Sequence, residues 1–291
     1  MMDFPHLDGE PHPVVAQEAR SLLNKSENER SGVVSTALSF LSLYRDPLVA
    51  KNTTQSDFKI ADLMNLTSPV TLYLVVRPSD ADRLRPLIRL VVTQLVRRLT
   101  EKMDYSEGRS VAHYKHRLLL LIDEFASLKR LTVIEEALAY MAGYGLKAYL
   151  IVQDLQQIFS AYGREEGLTG NCHIRIAYAP NKIETAEILS RMAGNTTVMK
   201  RAARTHKTHG YEKAIQEVQR PLITPDEVMR LPAPAKDAKG RITETGHMLI
   251  FIAGQAPIYG RQILYFQDRT FSKRAAIPAP HSSDRIERLE D

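Results

Sequence analysis

The chain has 291 residues, 44% of them hydrophobic and 25% charged, with a net charge of +5. That length can bury a core and holds one large α/β domain plus an appendage, and the composition excludes a collagen-like or wholly disordered chain. The single cysteine, Cys172, excludes an internal disulfide, and no apolar run approaches the roughly 18 residues that a membrane span needs.

The mild basic excess permits a nucleic-acid or acidic-membrane partner without demanding one. The opening MMDFPHLDGEPHPVV has neither a basic nor an apolar stretch, so it does not read as a secretory signal, and a reducing cytoplasm fits the lone cysteine. Next, PHPVVAQEARSLLNK reads as a helix opened by Pro13, and NERSGVVSTALSFLSLYRD as a second helix ended by Pro47. Val34, Leu38, Leu41 and Tyr44 fall on one stripe of it. With no strand between them, these helices resemble part of a small helical subdomain.

The composition changes near Ser56. SPVTLYLVV (68–76) is rich in β-branched and aromatic residues and reads as a core strand. SDADRLRPLIRLVVTQLVRRLTEKM reads as a long helix with Ser79 as N-cap. Its apolar residues repeat at helical spacing, and Arg83, Arg85, Arg89, Arg97 and Arg98 line other faces. Those arginines mark either a solvated helix surface or a DNA-facing stripe. A polar loop (108–116) leads into the apolar run Leu118–Ile122. A helix over 131–142, stopped by Gly143 and Gly145, precedes a strand at 146–152. Another strand covers 172–178, followed by a helix with Asn181 as N-cap and Gly194 at its end. Strands alternating with helices from 68 to 194 argue a parallel sheet covered on both faces. Residues 199–213 are strongly basic with little periodicity. ITPDEVMRL holds a short helix with Thr224 as N-cap, Pro225 at N1 and Glu227 at N3. HMLIFIAG and RQILYF read as the last strands, and the tail from Ser272 as disordered.

The chemistry sits at one strand end. RLLLLIDEF runs five apolar residues straight into Asp123 and Glu124. In P-loop NTPases such a strand, the Walker B strand, ends in an aspartate that holds Mg²⁺ through the metal's water shell. In many motors the next residue is a glutamate that activates the attacking water. The bland alternative is a core strand ending in two surface acids. Gln153 ends the 146–152 strand. Beside Asp123 its amide would lie near a γ-phosphate and could report nucleotide state to a remote surface. It and Asp154 also suit capping of the next helix, and the two readings are compatible. A phosphate loop, G-x-x-x-x-G-K-[ST], is missing from the sequence. AGYGLK lacks the spacing and the hydroxyl, and it ends a helix where such a loop must start one. Cys172, His113, His116, His173, His206 and His209 lack metal-ligand spacing.

HPVVAQEARSLLNKSENERSGVVSTALSFLSLYRDP, SDFKIADLMN, LYLVVRPSDADRLRPLIRL, LLLLIDEFASL, IVQDLQQI, RIAYAPNKIETAEILS, RPLITPDEVMRLP and YGRQILYF occur in that order. In series they resemble the TraG-type coupling proteins of conjugative DNA transfer and type IV secretion. The resemblance implies an α/β fold: the Walker B half of a RecA-like P-loop NTPase core (56–271), preceded by the end of an all-helical inserted domain (1–55) and followed by the 272–291 tail. It implies the C-terminal part of a protein whose other part carries the membrane helices, the Walker A loop and the start of the helical domain. It assigns Asp123 to Mg²⁺ through water, and Glu124 and Gln153 to catalysis, with ATP and Mg²⁺ as cofactors of the complete protein only. The complete protein would be a homo-hexamer at the cytoplasmic face of the inner membrane. It would link a relaxase and relaxosome proteins on single-stranded DNA to the secretion channel proteins. An arginine finger is not assigned; Arg164, Arg175 and Arg191 are the candidates. Lacking a phosphate cradle, the chain alone is expected not to hydrolyse ATP. The competing reading is a non-enzymatic module that docks relaxosome proteins.

Overall fold

The computed structural model describes residues 10–111, 114–205 and 211–278. It divides into two compact units: one ends at Lys59 and takes in Leu74–Leu87, and the other holds Ile60–Tyr73 and the chain from Ile88 on.

The first unit is helical. α1 (Pro13–Leu23) opens on its proline, whose missing N–H costs nothing at a helix start. α2 (Glu27–Phe40) is capped by Ser26, which accepts from the Glu29 N–H. Pro47 does not end this helix. α2 stops at Phe40, a 3-10 turn covers Ser42–Arg45, and Pro47 begins α3 (Pro47–Asn52), with Asp46 accepting from the Leu48 and Val49 amides. Asp before Pro is a start signal, because the acid caps while proline supplies the first helical φ. The Leu48 amide above all, then that of Val49 and the Arg83 guanidinium, hold the Asp46 carboxyl below its usual range. No residue of α1 or α2 is buried, and the stripe Val34, Leu38, Leu41 and Tyr44 faces solvent.

The second unit begins with α4 (Asp62–Asn65). The strand expected at 68–76 is not formed. Residues 69–77 have no regular secondary structure, and Tyr73 and Val75 are exposed. β-branched composition favours a strand only where another strand offers a hydrogen-bond ladder, and among the described residues none pairs with this segment. α5 (Ala81–Leu99) follows a 3-10 turn, Pro78–Asp80, so Ser79 lies inside that turn and is not the cap. The α5 arginines are largely satisfied within the chain. Arg83 pairs with Asp46 and Asp80, Arg85 with Asp82 and Arg98 with Glu101, while Arg89 donates to the Leu128 carbonyl at 2.5 Å. The solvated-surface reading of this helix is the one these pairs favour.

The polar stretch after α5 holds a hairpin, β1 (Asp104–Ser106) with β2 (Arg109–Val111). Its turn, Glu107-Gly108, has φ of 53° and 74°, the pair of positive values that a two-residue hairpin turn needs. β3 (Leu118–Ile122), α6 (Thr132–Ala137) and β4 (Leu146–Leu150) come next. β3 and β4 pair parallel, Leu118 against Leu146 through Ile122 against Leu150. α6 is shorter than expected: a 3-10 turn, Met141–Tyr144, replaces its end, and Gly145 turns the chain at φ 80°. One face of the pair (Leu118, Leu120, Ile122, Ala148, Leu150) packs on a core of Val92, Val96, Phe125, Ile134, Leu146 and Ile158. The other face leaves Leu119, Leu121, Tyr149 and Ile151 exposed.

α7 (Leu155–Tyr162) and α8 (Leu168–Asn171) lead to β5 (Ile174–Ala177). β5 does not join the parallel pair. It lies antiparallel to β8 (His247–Ile252), which pairs with β9 (Ile258–Arg261). α9 (Ile183–Ala193) starts at Lys182 with no side-chain cap, so Asn181 does not cap it, and Gly194 ends it at φ 83°. The basic segment, which shows little periodicity in sequence, falls on β6 (Asn195–Thr205) and β7 (Tyr211–Pro221), an antiparallel pair, with 206–210 outside the described residues. α10 (Pro225–Met229) carries the expected capping box between Thr224 and Glu227. β8 and α9–α10 share a second core, with Leu189, Val228, Leu249 and Phe251 buried. The last strand lies at 258–261, so RQILYF contributes only Arg261 to it. Asp268 then caps α11 (Arg269–Ala275), a helix across the expected start of the disordered tail, while 279–291 lie outside the described residues.

Candidate functional site

The site forms where β3 and β4 end together. The ladder continues past the paired strands: the Ile151 N–H donates to the Ile122 carbonyl at 3.1 Å, and the Phe125 N–H to the Ile151 carbonyl at 2.9 Å. This holds the Asp123-Glu124 step against the end of β4. Ligands of open α/β sheets bind at this C-terminal edge.

Glu124 takes a left-handed conformation, φ 50° and ψ 46°. A non-glycine residue there costs about 1 kcal/mol or more, and its neighbours over-determine it. Its N–H donates to Asp123 Oδ1 at 3.1 Å, and its carbonyl accepts from the Ser127 N–H at 2.8 Å. The side chain is fixed from β4: Gln153 Nε2 donates to Glu124 Oε1 at 2.7 Å. Gln153 is itself positioned, since its N–H donates to Gln157 Oε1 at 3.2 Å. Asp154 caps α7, accepting from the Gln156 N–H at 2.7 Å and from Thr185 of α9 at 3.2 Å. The capping reading therefore belongs to Asp154, and the Gln153 amide is spent on Glu124.

Beneath this step, Phe125 is fully buried and stacks on Tyr162 at a centroid distance of 5.8 Å. The Leu131 N–H donates to Tyr162 Oη at 3.0 Å, and Tyr162 Oη donates to the Lys129 carbonyl at 3.3 Å. Burial raises the Tyr162 phenol above its ordinary value. α7 thus grips the turn after β3 at both ends: Gln153, just before it, holds Glu124, and Tyr162, its last residue, holds 129–131. Sequence reasoning missed Tyr162 and Gln157. Only the α7 apolar spacing hinted that Tyr162 faces inward.

Asp123, Glu124 and Gln153 are all exposed, as groups that meet a ligand must be. Two adjacent carboxylates with an amide beside one of them fit the metal-and-water side of a nucleotide site. They supply no cradle of backbone N–H groups for phosphates. Among the described residues there is no cluster of three or more His, Cys, Asp or Glu; His113, His206 and His209 lie outside them. His116 Nε2 lies 3.1 Å from the Leu66 carbonyl, and burial pushes the Cys172 thiol up. Of the arginine-finger candidates, Arg164 and Arg191 are exposed, while Arg175 on β5 has its Nε buried without a hydrogen bond.

The family profile described as "Type IV secretory system Conjugative DNA transfer" matches residues 1–288. The chain belongs to this family. Within it, the chain is 51% identical over 295 residues to the conjugal transfer protein TraG of Escherichia coli, covering 98% of this chain and 46% of TraG. It is 28% identical to protein VirD4 of Agrobacterium fabrum, over 83% of this chain and 35% of VirD4. The chain spans about half the length or less of these curated relatives. The plasmid coupling protein TrwB, solved in complex with ADP and Mg²⁺, superposes with a TM-score of 0.59 at 21% identity, over 89% of this chain and 56% of TrwB. The fold of this chain is accordingly that of the matching part of TrwB. No helix among the described residues is long and apolar enough to cross a membrane.

Proposed function

We propose that this chain supplies the Walker B half of the nucleotide site in a conjugative coupling protein. The observation that carries the reading is the 2.7 Å bond from Gln153 to Glu124 at the C-terminal end of the parallel β3–β4 pair. A strand end needs no such bond between an acid that follows β3 and an amide that follows β4. A site that must hold a carboxylate in one orientation does.

In this reading Asp123 would hold Mg²⁺ through its water shell, and the metal would supply charge neutralisation at the phosphates. Glu124 would accept the proton of the attacking water through its exposed carboxylate. Gln153 holds that carboxylate in one orientation and, standing just before α7, would report a change at the site to that helix. ATP and Mg²⁺ are cofactors of the complete protein, where a phosphate loop completes the cradle. TrwB, of the same fold, binds ADP and Mg²⁺. The complete protein works as a hexamer at the cytoplasmic face of the inner membrane, linking relaxosome-bound single-stranded DNA to the secretion channel.

The test is phosphate release by the chain, with and without single-stranded DNA. The reading expects no turnover above background. Turnover that disappears in Glu124→Gln would mean that this chain holds a complete site. A second reading, a docking module for relaxosome proteins, draws on the exposed apolar residues of α1 and α2, such as Val14, Leu23, Val33 and Phe40. It predicts capture of relaxosome proteins that survives Glu124→Gln.

A further inference from the structure

The second unit is built around two cores, and a hydrogen bond joins the helices that serve them. α7 belongs to the first core through Ile158 and Tyr162, and α9 to the second through Ala186 and Leu189. Apart from tyrosine, the described residues bury two polar side chains, Thr185 (6% exposed) and Ser190 (4%), and both stand on α9. A hydroxyl taken out of water costs free energy unless a partner replaces the water. Ser190 finds its partner beside the second core, donating from Oγ to the Ile223 carbonyl at 2.6 Å. Thr185 reaches the other way: its Oγ1 donates to Asp154 Oδ1 at 3.2 Å.

That partner is the residue after Gln153. Asp154 Oδ1 also accepts from the Gln156 N–H at 2.7 Å as the N-cap of α7. Thr185 is the third residue of α9, and α9 has no side-chain cap of its own. One carboxylate oxygen thus serves the first turns of both helices, where a negative charge is favoured. The step between Gln153 and Asp154 is in this way held from several sides. Gln157 binds the Gln153 N–H, the Gln153 side chain holds Glu124 at 2.7 Å, and α7 and α9 bind the Asp154 side chain. Of these ties, the one from Thr185 comes from outside the β3–α7 region. A capping aspartate needs no such second donor, since its bond to α7 is complete without it.

We propose that Thr185 is a positioning residue of the nucleotide site: by fixing the Asp154 carboxylate from α9, it sets the direction in which Gln153 presents its amide to Glu124. This rests on the reading of Glu124 and Gln153 given above and adds the residue that aligns them from outside. The hydroxyl is the group that acts. Valine has the shape of threonine without the donor, and serine keeps the donor without the methyl. Without the Thr185 hydroxyl, the Asp154 side chain keeps its bond to the Gln156 N–H and turns about it, and Gln153 follows through the shared backbone. Orientation of this kind carries weight in catalysis, where a misplacement of about 1 Å costs up to about 100-fold in rate.

The test is NMR of the 291-residue chain, which reads the site without nucleotide. The side-chain amide resonances of Gln153 are assigned by their loss in Gln153→Ala. Glu124→Ala marks where they move when the acceptor is missing. The proposal expects Thr185→Val to move them most of the way to that position, and Thr185→Ser to leave them at the parental one. Ser190→Ala is the control. It removes a hydroxyl buried to a similar degree on the same helix. It should therefore lower the urea midpoint as Thr185→Val does, and leave the Gln153 resonances unmoved. Thr185→Ala replaces the valine variant if that one does not fold. Unmoved resonances in the folded Thr185→Val or Thr185→Ala chain would overturn the proposal and leave Thr185 a structural residue. So would an equal movement in Ser190→Ala, which reduces the effect to a general loosening of α9. Because no nucleotide enters the measurement, either failure leaves the hydrolysis test of Glu124 standing. A chain in which Glu124→Ala itself moves nothing overturns both the proposal and the bond on which the nucleotide-site reading rests.

Discussion

The helices of the first unit and the β3–α7 region of the second are written in the same hydrophobic code, yet only one of them is paid back in burial. Apolar residues at helical spacing in α5, α6 and α7 become a core: Val96 and Ile134 lose all exposure, and Ile158 is buried with them. The same spacing in α1 and α2 leaves no buried residue at all, and Phe40 is 79% exposed. Periodicity specifies which face of a helix is apolar. It does not specify that the chain at hand contains what covers that face. The β3–β4 pair shows both outcomes at once, with one face packed and the other, bearing Leu119, Leu121 and Tyr149, open. Parallel strands are ordinarily covered on both faces.

That comparison breaks if truncations in the two regions cost the same. Phe125→Ala removes a fully buried ring that stacks on Tyr162 and should destabilise the chain by about 3–5 kcal/mol in urea unfolding. Tyr162→Phe keeps the ring and removes only the hydroxyl that bridges Leu131 and Lys129. The Leu131 N–H loses its acceptor, at a cost of about 1–3 kcal/mol, with faster hydrogen exchange at that amide and no change within β4. Phe40→Ala in α2 should move the midpoint by less than about 0.5 kcal/mol. A Phe40→Ala loss comparable to that of Phe125→Ala would show that the first unit is packed in solution by something other than the contacts described.

Alkaline titration sharpens the same contrast. Burial raises the Tyr162 phenol in the folded chain. The folded state therefore holds this proton more tightly than the unfolded state. The stabilisation is complete below the unfolded value near 10 and is lost as pH climbs through the higher folded value. Unfolding midpoints measured from pH 8 to 11 should fall in the parent above about pH 10 and fall less in Tyr162→Phe.

The sequence carries the site more clearly than the sheet around it. Leu118–Ile122 running into Asp123 and Glu124 is a local signal, and so is Thr224-Pro225 with Glu227. Each is decided within a few residues, and each forms as read. Whether 68–76 becomes a strand depends on a neighbour far away in sequence or outside it, so its composition alone misleads. The direction of β5 likewise depends on β8, seventy residues on. The basic segment is legible as basic but not as two paired strands, because it shows little alternation between apolar and polar residues. Tyr162 and Gln157 are invisible for a different reason. One turn of helix sets where they reach, and nothing in their sequence neighbourhood announces a partner at 129–131 or at 153.

The central claim is that Glu124, held by Gln153, completes a nucleotide site whose phosphate loop lies in another part of the protein. It is tested most directly by a chimera in which this chain replaces the matching 295-residue stretch of the Escherichia coli TraG relative, assayed for ATP hydrolysis in the presence of single-stranded DNA. The account predicts turnover by the chimera. Glu124→Gln should reduce it at least 100-fold, and Gln153→Ala should reduce it about 10-fold with little change in KM, the pattern of a group that positions rather than binds. A chimera that hydrolyses ATP equally well with Glu124→Gln would contradict it.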